Sequence, residues 1–375
     1  MIAWVLAAAL AATEAAPAQL RLIGQQVLPA RMQVAGSTLG GLSGIDYDAK
    51  QQRYVLISDD RSQADTPDPL RLYFATLDFD GESFRSVRFT AMLPLREADG
   101  APYPKLPAPK APDPEGVRID PVTGHFVWVS EGDRASRLEP WVRESDADGR
   151  TVRDYLLPAM FQQQAQRGPR ANAAFEGLSF TPDGQQLAVI MEAPLVQDGE
   201  APTPEQASAS RLTLFERSSG RALRQFVYPI DRVQHAPKPA DAFSINGPTE
   251  ILALSSTRFW VLERSFSVGV VGNQVRLYEV DVEGATDVLN SPLAGARTLH
   301  KRLVLDFETL KARLGGVTNL EGLCFGPALP TGHRSLVVVA DVNFAPAGSP
   351  TDRNQNPGVR SPALTLEVTE PACMC

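Results

Sequence analysis

The sequence predicts an all-β fold, a β-propeller built from four-stranded antiparallel blades. Two observations predict it: one motif recurs five times along the 375 residues, and short apolar runs separated by turn residues follow each copy. Composition agrees, because 28 glycines and 31 prolines supply many turn positions. We expect little helix beyond one short segment at residues 161–167, with surface loops at residues 98–114 and 198–210.

The repeated motif is a small or acidic residue, an apolar run, a turn, a second apolar run and a closing acid. The copies begin 72, 61, 74 and 71 residues apart, at Ser43, Glu115, Glu176, Glu250 and Glu321. The closing acid follows after 16, 16, 16, 13 and 20 residues, at Asp59 (with Asp60 next to it), Glu131, Glu192, Glu263 and Asp341. Two further stretches with period-2 alternation, such as residues 211–216 and 223–228, complete the four strands of a blade.

The number of copies predicts five blades, and a sixth blade without the motif stays possible. An N-terminal strand around residues 20–24 would complete the last blade and close the ring. We therefore expect the propeller to span residues 19–345, followed by a divergent C-terminal tail at residues 346–375.

The start of the chain predicts export to the periplasm or the medium. Residues 1–18 contain a short apolar run and an Ala-Pro-Ala triplet typical of a signal peptide, and the run is too short to span a bilayer. We expect no membrane span, because no later segment is long and apolar enough for one. We also expect the protein to be a monomer. The net charge of −8 argues against a nucleic-acid partner.

The repeated acids are the candidate functional residues. The first strand of each propeller blade lines the central channel, so residues that begin these strands converge on the axis. An antiparallel second strand returns its closing acid to the same mouth. We predict catalytic roles for the first-strand acids Glu115, Glu176, Glu250 and Glu321. We predict metal ligation by the second-strand acids Asp59, Asp60, Glu131, Glu192, Glu263 and Asp341.

So many carboxylates in one ring need cations, since like charges raise one another's pKa. Ca²⁺ binds six to eight oxygen ligands and fits a chain with only four histidines. Arg61, Arg134 and Arg264, each directly after an acid, are candidates for binding a phosphate group. A second interpretation is that the glutamates accept hydrogen bonds from backbone N–H groups of the neighbouring blade and fix the register between blades. No Gly-x-Ser-x-Gly motif is complete, so a serine hydrolase is not expected.

Five sets of residues occur in a characteristic order: 40–47, 57–62, 175–178 with 182–184, 191–195 with 197–199, and 262–264. Their order resembles the family called esterase-like activity of phytase, or the phytase-like domain, and the resemblance covers about residues 20–344. It implies an exported, mainly bacterial β-propeller, and the family's name implies hydrolysis of phosphate or other esters. The sequence departs from the family pattern after Phe344.

We therefore predict an exported hydrolase for small-molecule phosphate esters, with Ca²⁺ held by the central acids. Two alternatives stay open. One is calcium-dependent hydrolysis of a lactone or carboxyl ester, and the other is a non-catalytic envelope propeller that binds a ligand or peptide on its face.

Overall fold

A computed structural model of the protein describes residues 18–29, 32–61, 68–341 and 362–369. Within these residues, five four-stranded antiparallel sheets surround a central axis, which confirms the predicted β-propeller. The predicted signal peptide lies outside the described residues apart from its last residue. None of the helices in the described part of the chain is long and apolar enough to cross a membrane.

Each of the first four blades is one continuous stretch of chain. The first contains β4 (Leu42–Asp48), β5 (Arg53–Ser58), β6 (Arg71–Phe79) and β7 (Phe84–Pro94). The second contains β8 (Pro114–Ile119), β9 (Phe126–Ser130), β10 (Trp141–Ser145) and β11 (Thr151–Asp154). The third contains β12 (Phe175–Phe180), β13 (Gln186–Met191), β14 (Ser208–Glu216) and β15 (Ala222–Ile230), and the fourth β16 (Ser244–Ala253), β17 (Arg258–Ser267), β18 (Gln274–Asp281) and β19 (His300–Asp306).

The fifth blade joins both ends of the chain and closes the ring. It contains β20 (Leu320–Ala328), β21 (Arg334–Ala340), β22 (Pro362–Thr369) and, as its outer strand, β1 (Gln19–Val27). The antiparallel pairing of β1 with β22 confirms that an N-terminal strand completes the last blade. Because β22 lies in this blade, the propeller extends past residue 345, where we expected it to end.

Helices and the remaining strands are minor elements. A short hairpin joins β2 (Gln33–Val34) to β3 (Ser37–Thr38). The helix expected at residues 161–167 is a single 3-10 turn, Ala159–Phe161. A second 3-10 turn, Phe307–Leu310, leads into the short helix α1 (Lys311–Leu314).

Five apolar clusters hold the ring together, one between each pair of adjacent blades. The alternation along β9 shows the principle, because Val127 and Val129 pack toward the third blade whereas Trp128 packs toward the first. Both faces of the strand are therefore buried. This explains why the second strand of each repeat reads as an unbroken apolar run rather than as an alternating one.

Candidate functional site

A cavity of about 590 Å³ opens at the end of the ring where the inner strands begin. The inner strands are β4, β8, β12, β16 and β20. Seven carboxylates among the described residues line the cavity: Asp59, Asp113, Glu115, Glu176, Glu192, Glu321 and Asp341.

A β-bulge at the start of the inner strand positions the first residue of the motif in four of the blades. The bulge leaves one residue without a partner on the second strand: Ser43, Glu115, Glu176 and Glu321. A bulge redirects the side chain of its extra residue, and the three glutamates thereby line the cavity. The closing acid then donates its backbone N–H to the carbonyl two residues before the bulge, as Glu192 does to Ala174 over 2.9 Å.

Glycine follows the bulge because the inner strands approach one another closely near the axis. A Cβ atom on Gly116 would lie 2.7 Å from the carbonyl oxygen of Glu176 in the next blade. One on Gly177 would lie 2.6 Å from the Cα atom of Glu250. The Glu-Gly dipeptide therefore combines a cavity-facing acid with the only residue that the close approach tolerates.

The fourth blade is out of step with the motif by one residue. Its bulge lies at Thr249, since Pro248 pairs with Glu263 and Glu250 already pairs with Leu262. Thr249 and Arg264 therefore occupy the places that an acid pair holds in the second, third and fifth blades. The sequence carried a signal of this shift: the spacing from Glu250 to Glu263 is 13 residues against 16 in the first three copies.

As a result, Glu250 and Glu263 do not line the cavity. Glu250 lies deeper along the axis, 2.9 Å from the guanidinium of Arg118. Glu263 accepts hydrogen bonds from Lys301 at 2.6 Å and from the hydroxyl of Tyr228 at 2.9 Å. Both acids are buried in pairs with cations, and their predicted roles in catalysis and metal binding stay untested predictions.

Arg118 fills the channel below the cavity. Its guanidinium donates hydrogen bonds to the carbonyl groups of Ile45 at 2.6 Å, Ile251 at 3.1 Å and Leu323 at 3.0 Å. These carbonyls belong to the inner strands of the first, fourth and fifth blades, so one side chain from the second blade links four blades at the axis. Nothing in the repeat predicted this residue.

The other second-strand acids divide into two groups. Asp59, Glu192 and Asp341 line the cavity, and Glu131 adjoins it. Asp60 instead pairs with the buried guanidinium of Arg71 at 3.0 Å. The structure therefore brings four of the six predicted metal ligands together.

Glu131 and Glu250 also accept hydrogen bonds from a neighbouring blade, as the second interpretation of the motif expected. Glu131 Oε1 accepts from the backbone N–H of Ala174, and Glu250 Oε1 accepts from that of Leu178 at 3.2 Å. The other oxygen of Glu131 has no hydrogen-bond partner, so fixing the register does not use the whole carboxylate.

The three predicted arginines also separate. Arg61 and Arg264 line the cavity, where Arg264 lies 3.3 Å from Glu192 and 3.4 Å from Glu321. Arg134 does not line it, and its guanidinium donates to backbone carbonyls of the 164–169 loop, including that of Pro169 at 2.7 Å. Arg134 therefore supports a loop. The sequence analysis missed a further arginine of the cavity wall, Arg170.

Two groups of carboxylates are close enough to share a cation. The ligand oxygens of Asp113, Glu115 and Glu131 lie within 4.8 Å of one another, and so do those of Glu131, Glu176 and Glu192. Glu131 belongs to both groups. Asp113 was missed because it has no counterpart in the other copies of the motif.

Burial and mutual repulsion raise the proton affinity of these acids. Burial raises the pKa of Glu115 and Glu176 well above the usual value, and neighbouring carboxylates add to the effect. Burial and the nearby Asp341 raise the pKa of Glu321 to about 8, against the opposing effect of Arg264. Without a bound cation, Glu321 therefore retains its proton at neutral pH.

The sequence also matches a known family over most of its length. Residues 37–344 match the family model Phytase-like, described as esterase-like activity of phytase. The chain belongs to this family. The match confirms the resemblance drawn from the motifs, and it places the five inner strands of the phytase-like propeller within the matched region.

Comparison with solved structures finds weak similarities at low sequence identity. An α-L-arabinofuranosidase from Lactobacillus brevis is 10% identical, with a TM-score of 0.45 over 88% of this chain and 91% of that one. An endo-arabinase from Bacteroides thetaiotaomicron is 12% identical, with a TM-score of 0.43 over 87% and 94%. A periplasmic gluconolactonase from Pseudomonas aeruginosa is 14% identical, with a TM-score of 0.38 over 95% and 100%. Such weak similarities carry no conclusion about activity, and no protein with a curated description matches the sequence.

Proposed function

We propose that this phytase-like propeller hydrolyses phosphate esters in the central cavity with the help of bound Ca²⁺. The observation that carries the proposal is that two clusters of three carboxylates share Glu131, beside a cavity large enough for a small substrate.

The residues present fit a calcium ion. All the candidate ligands are carboxylate oxygens, which Ca²⁺ prefers, and nitrogen or sulfur ligands are not needed. Glu131 Oε2, from the residue common to both carboxylate clusters, is buried without a hydrogen-bond partner. A buried acceptor without a partner carries a desolvation cost that a bound cation would remove. Asp113, Glu115, Glu131, Glu176 and Glu192 would hold the cation.

In the proposed reaction, a water molecule attacks phosphorus and the ester P–O bond breaks, which releases phosphate and an alcohol. Bound Ca²⁺ would supply positive charge that neutralises phosphate oxygens and lowers the pKa of the attacking water. Glu176 takes the proton from that water. Arg264, whose buried Nε–H has no hydrogen-bond partner, donates to a phosphate oxygen.

The test is phosphate release from an aryl phosphate and from phytate, with Ca²⁺ and with a chelator. We expect calcium-dependent release from at least one of these esters, which the Glu176→Gln variant reduces by about a hundredfold or more. Glu144→Gln is the control, because Glu144 is equally buried but is held by Arg153 at 2.5 Å, away from the cavity. Release that survives chelation, or an unimpaired Glu176→Gln variant that still binds calcium, would show that the proposal is wrong.

A neutral ester is the second candidate substrate. Seven carboxylates and three guanidinium groups line the cavity, and this balance repels anions unless cations compensate for it. Hydrolysis of a lactone or an aryl acetate without phosphate release would select this candidate. A calcium-raised melting temperature without any turnover would instead indicate a metal-stabilised binding protein.

A further inference from the structure

The wall of the cavity is chemically uneven. The carboxylates come from the first, second, third and fifth blades, whereas the fourth blade contributes Arg264 and uncharged residues. The unevenness follows from the one-residue shift at Thr249, which turns the two acids of this blade away from the cavity. A ligand therefore meets carboxylate oxygens on one side and, apart from Arg264, an uncharged surface on the other.

Two aromatic rings form the outer part of that surface. Phe243, directly before β16, and Phe266, in β17, both line the cavity with their ring centroids 6.3 Å apart. Phe243 remains 63% exposed, although the N–H of Val268 holds its backbone carbonyl at 3.0 Å. Leu106 lines the mouth as well and is 42% exposed. A planar apolar group of a ligand would cover these side chains.

A polar anchor lies in the same wall. The side chain of Asn273 lines the cavity and is 1% exposed, yet neither its amide nitrogen nor its amide oxygen has a hydrogen-bond partner. A buried amide normally satisfies both atoms. Asn273 therefore offers amide N–H donors and a carbonyl acceptor to polar groups of a bound ligand.

The charge of the lining limits how many phosphate groups the ligand carries. The seven carboxylates exceed the three guanidinium groups by four charges when all are ionised, and two divalent cations would only balance this excess. Arg61 is in addition already engaged by Asp113 at 2.8 Å. Each phosphate group of a ligand would then add negative charge that no described residue of the lining neutralises, so a single phosphate carries the smallest electrostatic penalty.

We propose that the substrate is a monophosphate ester with a planar apolar group, rather than a polyol that carries several phosphates. The phosphate lies at the carboxylate groups around Glu131, and the apolar group lies against Phe243 and Phe266. The inference rests on the proposed function and adds the substrate class.

Binding of phosphonates, which are not hydrolysed, tests the inference without requiring turnover. Calorimetry in excess Ca²⁺ compares phenylphosphonate with methylphosphonate in the wild type. Because inositol hexakisphosphate is an ester, it is compared with phenylphosphonate in the Glu176→Gln variant, in which we expect little hydrolysis. We expect the wild-type protein to bind phenylphosphonate roughly tenfold more tightly than methylphosphonate, the gain typical of covering one aromatic face. Phe243→Ala should abolish this preference and Phe243→Leu should keep part of it. Val122→Ala should retain it, because Val122 is 64% exposed on a turn at the opposite end of the second blade.

Three results overturn the inference. The first is that inositol hexakisphosphate binds more tightly than phenylphosphonate. The second is that the wild type does not prefer the phenyl group, or binds neither phosphonate, and the third is that Phe243→Ala keeps the full preference. The two proposals fail differently. A Phe243-dependent preference without phosphate release from any ester would contradict only the proposed activity. Calcium-dependent phosphate release without a phenyl preference would contradict only the substrate class.

Discussion

The substitution Glu131→Gln tests whether the structure or the motif defines the cation site. Glu131 belongs to both carboxylate groups, so neutralising it removes charge from both. The amide oxygen of glutamine can still accept the hydrogen bond from Ala174. The contact between the second and third blades is therefore preserved, and the main loss is cation affinity.

The magnitude follows from the linkage between binding and folding. A cation present at one hundred times its dissociation constant stabilises the folded state by about 2.7 kcal/mol. If Glu131→Gln weakens binding about a hundredfold, the same concentration adds only about 0.4 kcal/mol. Urea unfolding with Ca²⁺ and with a chelator measures this increment directly.

Glu263→Gln is the matched control, because the motif assigns Glu263 the same role as Glu131. In the structure Glu263 instead pairs with Lys301 at 2.6 Å, outside the cavity. We expect this variant to lose stability in the chelator and to keep the full calcium increment. The assignment of the cation site would be refuted if Glu131→Gln kept the full calcium increment in unfolding free energy. It would also be refuted if Glu263→Gln lost that increment as completely as Glu131→Gln.

Three further predictions concern the stability of the residues around the site. Arg118→Met should lower the free energy of unfolding by about 3–5 kcal/mol, because it leaves Glu250 as a buried charge without its partner. Adding Glu250→Leu should recover part of that loss, and urea unfolding measures both variants. The free energy of unfolding measured in a chelator should fall as the pH rises from about 5 to 8, by about 1.4 kcal/mol per pH unit for each proton retained. The cause is the raised pKa of Glu321, about 8, because the folded state then binds a proton that the unfolded state has released. Ca²⁺ should flatten this pH profile, and a flat profile in the chelator would contradict the prediction. Gly177→Ala should destabilise the protein by about 1–3 kcal/mol or prevent folding, because the new Cβ atom would lie 2.6 Å from the backbone of the next blade. Gly284→Ala is the control: its Cβ atom would have free space around it, so this variant tests only the cost of a positive φ.

The sequence predicted the fold because its evidence is local and repeated. Apolar runs such as those around Val127 and Val189 recur at a regular spacing, and turn residues separate them. Four of the six predicted metal-binding acids meet at one mouth because every blade repeats the same hairpin. The missed residues, Asp113, Arg118 and Arg170, have no counterpart in the other repeats, so a search for periodicity could not find them.

By itself, the sequence determined the type of fold, the number of motif copies, the closing N-terminal strand and the concentration of acids at one end of the ring. Tertiary structure alone decided which acids face the cavity. A bulge is fixed by pairing with a neighbouring strand, and moving it by one residue exchanges the two faces of the chain. Thr249 and Arg264 thereby take the places that the motif assigned to Glu250 and Glu263, and this exchange gives the cavity its uncharged side.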